Sequence, residues 1–208
     1  MIVKVVTSLD GRVAAAPDAV TRLSSPATDR RTHALRAEVD AVAIGSGTRL
    51  ADDPLLTARG VYRSRPLSRV IFDRRLRTPV SARMLTTIEA GPVIILTAPD
   101  APAAAAGALE SAGAQVVRVA GGLTDALGSL VPMGIQSVLA EGGPTVHAAL
   151  WRERAADAVR LIVAPRTLGA AGVPWVERVV APWASWRLVS VQPCGTDVII
   201  EADVHWTD

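Results

Sequence analysis

Short apolar runs closed by glycine, proline or a polar turn recur along the chain, and longer segments with polar or alanine-rich faces lie between them. Ile2-Val3-Lys4-Val5-Val6 reads as a central first strand that turns at Asp10-Gly11. Further runs, Ala41 to Ile44, Arg69 to Asp73, Pro92 to Thr97, Gln115 to Val119, Ser137 to Glu141 and Ala158 to Ala164, have the length and β-branched content of buried strands. Helices are expected from Pro26 to about Val39, opened by Ser24-Ser25-Pro26, then over Ala101 to Ala112, Leu123 to Val131 and Thr145 to about Arg154. The alternation is βαβα, which predicts an α/β fold with a mostly parallel sheet. Trp186 to Gln192 and Thr196 to Trp206 form an antiparallel hairpin around Pro193-Cys194-Gly195. The patterning continues through the alanine- and proline-rich Ala98 to Gly107, so residues 1–208 read as a single domain.

Two strand-to-helix junctions carry polar chemistry. The first runs from Asp40 to Arg59, where Gly45 ends a strand and Gly47 to Asp52 enters a short helix, with Thr48 and the pair Asp52-Asp53 exposed to a crevice beyond the strand. The same spacing also fits a purely structural turn, with Thr48 as cap and Asp52-Asp53-Pro54 as its close. The second is Glu141-Gly142-Gly143-Pro144-Thr145, a strand end that opens a helix with proline in its first turn. Free amides and a positive helix end suit a phosphate there, although glycine for turn geometry alone explains the same residues. Lys4 stands inside an apolar strand, where a charge is costly without a partner. It is the single lysine beside 21 arginines, which favours a site that needs a compact ammonium over a lysine snorkelling from an edge.

Composition narrows the classes of partner. With 50% hydrophobic and 20% charged residues a sizeable core is available, and a net charge of +2 argues against nucleic-acid binding over the whole surface. Eight arginines (59, 63, 65, 69, 74, 75, 77 and 83) face one acid, Asp73, and mark either a solvated loop or an anion site. One cysteine, Cys194, excludes an internal disulfide framework and a thiolate metal cluster and suits a reducing compartment. No apolar run approaches membrane-spanning length, so a soluble, cytoplasmic protein is expected, with no metal. His33 is read as a surface residue and His147 as a packing or hydrogen-bonding one. Trp175, Trp183, Trp186 and Trp206 are read as packing or subunit-interface residues.

Four stretches together carry a resemblance: Val3-Lys4 with Ser8-Leu9-Asp10-Gly11-Arg12, the run L-R-A-E-V-D-A-V-A-I-G-S-G-T-R-L-A-D-D-P-L-L-T-A-R, the run V-I-F-D-R-R-L-R-T-P, and E-G-G-P-T. In this order the chain resembles the reductase domain of riboflavin biosynthesis over nearly its whole length. That family is similar to dihydrofolate reductase in fold, which implies a three-layer α/β/α architecture around a central, mostly parallel sheet. It implies NADPH as cofactor and 5-amino-6-(5-phosphoribosylamino)uracil as substrate, reduced at ribose C1′ to the ribitylamino product.

On the matching positions, the resemblance implies that Lys4, Asp52 and Glu141 form the catalytic cluster. Thr48, Asp52 and Gly142, Gly143, Pro144 and Thr145 would hold the cofactor, with the helix start from Gly143 to Ala149 around its phosphates. Arg36, Leu56, Arg59 and Glu141 would face the substrate, the two arginines clamping its 5′-phosphate. Arg74 and Arg75 are candidates for the 2′-phosphate of NADPH. Relatives of this kind imply a homodimer. The family's serine and tryptophan before the first helix are replaced here by Val20 and Arg22, so the substrate pocket differs in part. The zinc deaminase often fused to this domain leaves no H-x-E or P-C-x-x-C motif, and a separate deaminase is expected. A reductase of the same fold acting on another pterin, pyrimidine or carbonyl compound, and a non-catalytic nucleotide-binding protein, are the alternatives.

Overall fold

A computed structural model of the chain describes residues 1–17, 19–175 and 184–206. The architecture is α/β, with a mostly parallel sheet and antiparallel C-terminal strands. The chain divides into two compact units, one of Met1–Thr32 with Leu139–Asp208 and one of His33–Val138.

In chain order the elements are β1 (Ile2–Ser8), β2 (Arg12–Ala14), α1 (Pro26–Glu38), β3 (Ala41–Gly45), α2 (Ser46–Asp52), β4 (Ser68–Phe72), β5 (Val93–Thr97) and α3 (Ala103–Ser111). They continue with β6 (Gln115–Arg118), α4 (Leu123–Gly128), β7 (Val138–Gly142), α5 (Pro144–Arg152), β8 (Ala158–Ala164), β9 (Val173–Pro174), β10 (Ala184–Cys194) and β11 (Asp197–Trp206).

In the first unit the strand order is β10-β11-β8-β1-β7. β1 is parallel to both neighbours, with Val3 opposite Ala140 on β7 and Val159 on β8. A strand flanked on both sides has no solvated edge, which is why its sequence is β-branched at nearly every position. β11 returns antiparallel against β8, and β10 against β11, through a turn at Gly195 with φ of 64°. The core here is Val3, Val5, Leu139, Leu150, Val159, Ile162 and Ile199. The rings of Trp151, Trp175, Trp186 and Trp206 pack together, with Trp151 at 5.9 Å from Trp186 and 5.4 Å from Trp206 between centroids. This agrees with the packing role expected of these tryptophans; Trp183 lies outside the described residues.

In the second unit β3, β4, β5 and β6 are all parallel in that order, and Val42, Ile44, Ile71, Ile94 and Ile95 fill its core. Parallel strands put their carboxyl ends, and hence the loops after Gly45, Phe72 and Thr97, on one side. The sequence misses the short β2–β9 pair, in which Arg12 lies opposite Pro174. It also places the second helix too late, since α2 begins at Ser46.

Candidate active site

In the first unit, the pairing of Val3 with Ala140 sets the next residues, Lys4 and Glu141, side by side on parallel strands. Their side chains meet, with Lys4 Nζ 3.8 Å from Glu141 Oε2 and both largely buried. Lys4 thus has the counter-charge that its apolar strand requires. At that separation the pair is held by charge more than by a short hydrogen bond. A second carboxylate, Asp29 in the first turn of α1, also feels the Lys4 charge. Burial works to raise its pKa, but hydrogen bonds from Ser24 Oγ and Arg22, each 2.6 Å, and the field of Lys4 bring it below the ordinary carboxylate value.

Glu141 is followed by Gly142, with φ of 126°, and by Gly143, which is extended. The Gly142–Gly143 peptide is cis. No side chain caps α5, which starts on Pro144, so the positive end of its dipole stands directly beyond Glu141. The residues thus fit an anionic group such as a cofactor phosphate. His147, one turn further, is 2% exposed, and neither ring nitrogen has a hydrogen-bond partner.

In the second unit the two adjacent carboxylates have separate roles. Asp53 caps α2 in the left-handed region, at φ of 39°, and accepts bonds from Arg49 at 2.9 Å and from the Arg83 amide at 3.2 Å. Asp52, on the solvent side of the same turn, keeps a carboxylate whose pKa burial raises. Thr48 lies in the middle of α2 and does not cap it, because the capping position is Gly45. The turn-closing reading of the pair therefore belongs to Asp53, and Asp52 is the group available to a ligand.

The chain after Asp53 is irregular and is tied down at Thr57. Arg36 Nη1 donates to the Thr57 carbonyl at 2.9 Å, and Arg59 Nη1 reaches Thr57 Oγ1 at 3.2 Å. The two arginines expected to clamp a phosphate thus converge on one residue. His33 is no bystander, contrary to the reading as a surface residue: its Nδ1 lies 3.0 Å from the Thr57 carbonyl and 3.2 Å from the Arg59 amide. Leu56, at φ of 52°, is 2% exposed. Its side chain belongs to the core, and what it offers a ligand is its backbone. A left-handed leucine costs roughly 1–2 kcal/mol, a cost tolerated where a loop must present its neighbours in one arrangement.

The eight arginines counted in the sequence do not act as one patch. Arg69 is fully buried on β4, donating to the carbonyls of Thr87 and Gly91, and Arg63 covers the end of α1 through the carbonyls of Arg36 and Val39. Arg77 donates to Ser46 Oγ at 2.6 Å. Arg74 and Arg75 remain exposed on the turn after β4, Arg74 leaning on the Gly121 carbonyl at 2.9 Å. That turn is built by Asp73, 0% exposed, which accepts both the Thr78 amide and hydroxyl at 2.8 Å. It stands at the carboxyl end of the parallel strands, where this class of sheet binds its ligands.

Asp29 and the anchoring role of His33 were the residues that sequence reasoning missed. Asp29 carries the acidic first-turn signature of a helix, which hides any other use of it. Of the two positions where the resemblance fails, Val20 is 67% exposed, so no packing demands it, and Arg22 is committed to Asp29. Among the described residues no group of three or more His, Cys, Asp and Glu could hold a metal ion.

Known proteins resemble the chain over most of its length. The family model described as the RibD C-terminal domain matches residues 1–200. The chain is 35% identical over 176 residues to a 2,5-diamino-6-ribosylamino-4(3H)-pyrimidinone 5′-phosphate reductase of Methanothermobacter thermautotrophicus, covering 81% of this chain and 79% of that one. It is 32% identical over 163 residues to the riboflavin biosynthesis protein RibD of Aquifex aeolicus, 78% of this chain but only 45% of that longer protein. Among solved structures, Acinetobacter baumannii RibD superposes with a TM-score of 0.84 at 25% identity, over 98% of this chain and 57% of that one. The chain therefore belongs to the RibD C-terminal domain family.

Proposed function

We propose that residues 1–208 act as one NADPH-dependent reductase domain of riboflavin biosynthesis, converting 5-amino-6-(5-phosphoribosylamino)uracil to its ribitylamino product. The observation that carries this reading is the buried Lys4–Glu141 pair at the uncapped start of α5. The amides of Gly143 and Thr145 would hold cofactor phosphate, Thr48 and Asp52 would contact the cofactor, and Arg74 and Arg75 would take its 2′-phosphate. NADPH, when bound, supplies the hydride. Arg36 and Arg59, already gathered at Thr57, take the substrate 5′-phosphate, and Leu56 orients them from the core. In the opened, imine form of the sugar, hydride adds to C1′ and a proton goes to the nitrogen. Lys4 is the charge partner of Glu141, whereas Asp52 has its pKa raised by burial and, among the described residues, no ion pair with an arginine such as the one that holds Asp53. Asp52 is accordingly the proposed proton donor, and Glu141 the group that binds substrate.

The test is NADPH oxidation with the ribosylaminopyrimidine, with and without its 5′-phosphate. Turnover that requires the phosphate is expected, with Asp52→Asn lowering kcat on the order of a hundredfold. Unchanged turnover in Asp52→Asn sinks the assignment. Exposed Val20 and the Arg22–Asp29 pair favour a second reading, a same-fold reductase of another pterin, pyrimidine or carbonyl compound. It is chosen if NADPH binds and only a different substrate is reduced; binding with no turnover across such a panel leaves a nucleotide-binding protein. We further place the protein in the cytoplasm, as a homodimer, with deamination supplied outside these residues. No helix among the described residues is long and apolar enough to cross a membrane.

A further inference from the structure

Lys4 and Glu141 are one end of a longer polar row. Lys4 stands opposite Arg160 on β8, Arg160 opposite Glu201 on β11, and Glu201 opposite Ser190 on β10, so one line of register carries polar side chains across five strands of the first unit. Residues opposite one another share a face of the sheet, and here they meet in pairs. Arg160 Nε lies 3.3 Å from Glu201 Oε1, Arg31 Nη2 of α1 lies 3.4 Å from the same oxygen, and Ser190 Oγ donates to Glu201 Oε2 at 3.0 Å. The four charged side chains from Glu141 to Glu201 are between 8% and 19% exposed, so salt and water screen them little. Along the row the order is acid, ammonium, guanidinium, acid. Two cations therefore occupy adjacent strands, about 5 Å apart at the backbone, and each is turned to a carboxylate on its outer side. The charged or titratable groups facing Lys4 are Glu141 on β7 and Arg160 on β8, together with Asp29 on α1 and His147 on α5, which feel its charge.

We propose that Arg160 and Glu201 are positioning residues for Lys4: Glu201 draws the guanidinium along the row toward β11 and so leaves Lys4 as the cation that faces Glu141. Arg31 and Ser190 engage the Glu201 carboxylate on both of its oxygens and hold it at that end. Without it, Arg160 would have Glu141 as the next acid in the row and would compete with Lys4 for it. An arginine keeps its proton at any ordinary pH and a lysine does not, so an uncompensated guanidinium beside Lys4 would act on the ammonium.

The role in turnover rests on the reductase reading, but the effect on Lys4 does not, and the experiment separates the two. Lys4 is the single lysine of the chain, so lysine labelled with carbon-13 at Cε gives one side-chain NMR signal that needs no assignment. Its titration is followed from roughly pH 7 to pH 11. Glu201→Gln leaves the guanidinium uncompensated and should lower the midpoint by roughly half a unit to one unit, whereas Arg160→Gln removes that cation and should raise it. The double variant should return close to the wild type. Opposite movements of this kind do not come from lost packing. A midpoint indifferent to both single variants, or moved the same way by both, overturns the proposal, and Arg160→Gln decides it alone if Glu201→Gln does not fold. In the activity arm, Glu201→Gln is expected to lower kcat on the order of tenfold with little change in KM and to move the basic limb of kcat to lower pH, with much of both recovered by adding Arg160→Gln. Losses that add in the double variant, with an unmoved pH profile, would mean a role in sheet stability only and overturn it as well. Failure of the wild-type protein to turn over would count against the reductase reading alone, since the lysine titration needs no substrate.

Discussion

A single lysine in a chain rich in arginine is legible from sequence because burial makes it anomalous. Its partner is not, since nothing local to Val3-Lys4-Val5 points 137 residues ahead to Glu141. The pair gives a stability prediction: Lys4→Met removes the ion-pair partner of a buried carboxylate and should cost about 3 kcal/mol in urea unfolding, whereas Lys4→Met with Glu141→Gln should recover most of it. Arg69 is the opposite case. It reads as the polar margin of an apolar strand, yet it is fully buried, because acceptors from Thr87 and Gly91 reach it from a later segment. His147 adds a pH dependence. Its folded pKa of about 4 lies below the ordinary histidine value, so the unfolded chain binds more protons between about pH 6.5 and pH 4, and stability falls as pH falls through that window. Unfolding at pH 5 and pH 7 should differ by roughly 2 kcal/mol more in the wild type than in His147→Gln.

Among the elements, α1 shows how a correct boundary can conceal its cause. Ser24-Ser25-Pro26 announces the helix start, and the helix does begin at Pro26. The group that holds it is Asp197, from the start of β11, which takes the Ser25 amide at 2.7 Å and the Thr28 hydroxyl at 2.6 Å. Burial of Asp197 works to raise its pKa, but these donors outweigh it and the pKa is lowered. Its contribution is therefore present above the ordinary carboxylate pKa and is lost as pH falls through the depressed value. Asp197→Ala is expected to cost about 1–2 kcal/mol, the scale of a lost helix cap, measured by urea unfolding at neutral pH. Strands and helices were legible because each is a periodic run. The β2–β9 pair was not, being three and two residues long. The candidate site divides in the same way: its glycines and carboxylates stand out in sequence, but which of Asp52 and Asp53 is free depends on bonds from Arg49 and Arg83.

For the whole molecule, the charge balance and the sheet edges set what it meets. Of the eight arginines, Arg63 and Arg69 hold carbonyl oxygens and Arg59 and Arg77 hold hydroxyls, so the cluster is divided among separate anchors and is no continuous basic surface. In the first unit, β10 is an edge strand with Leu188 63%, Val189 54% and Val191 59% exposed. An exposed apolar edge is where a second copy of the chain would pair. Leu188→Lys should accordingly shift the protein from dimer to monomer in sedimentation; an unmoved distribution would remove β10 from the proposed homodimer.

The indole cluster has a practical consequence. Every tryptophan of the chain falls between positions 151 and 206, while the unit of His33–Val138 contains only Tyr62 and Phe72 as aromatic residues. Intrinsic fluorescence is thus a label-free beacon for one half of the molecule and blind to the other, whereas far-ultraviolet dichroism sees both. Overlaying the two melting traces on one temperature axis would show directly whether the halves lose their structure in a single concerted event or in succession.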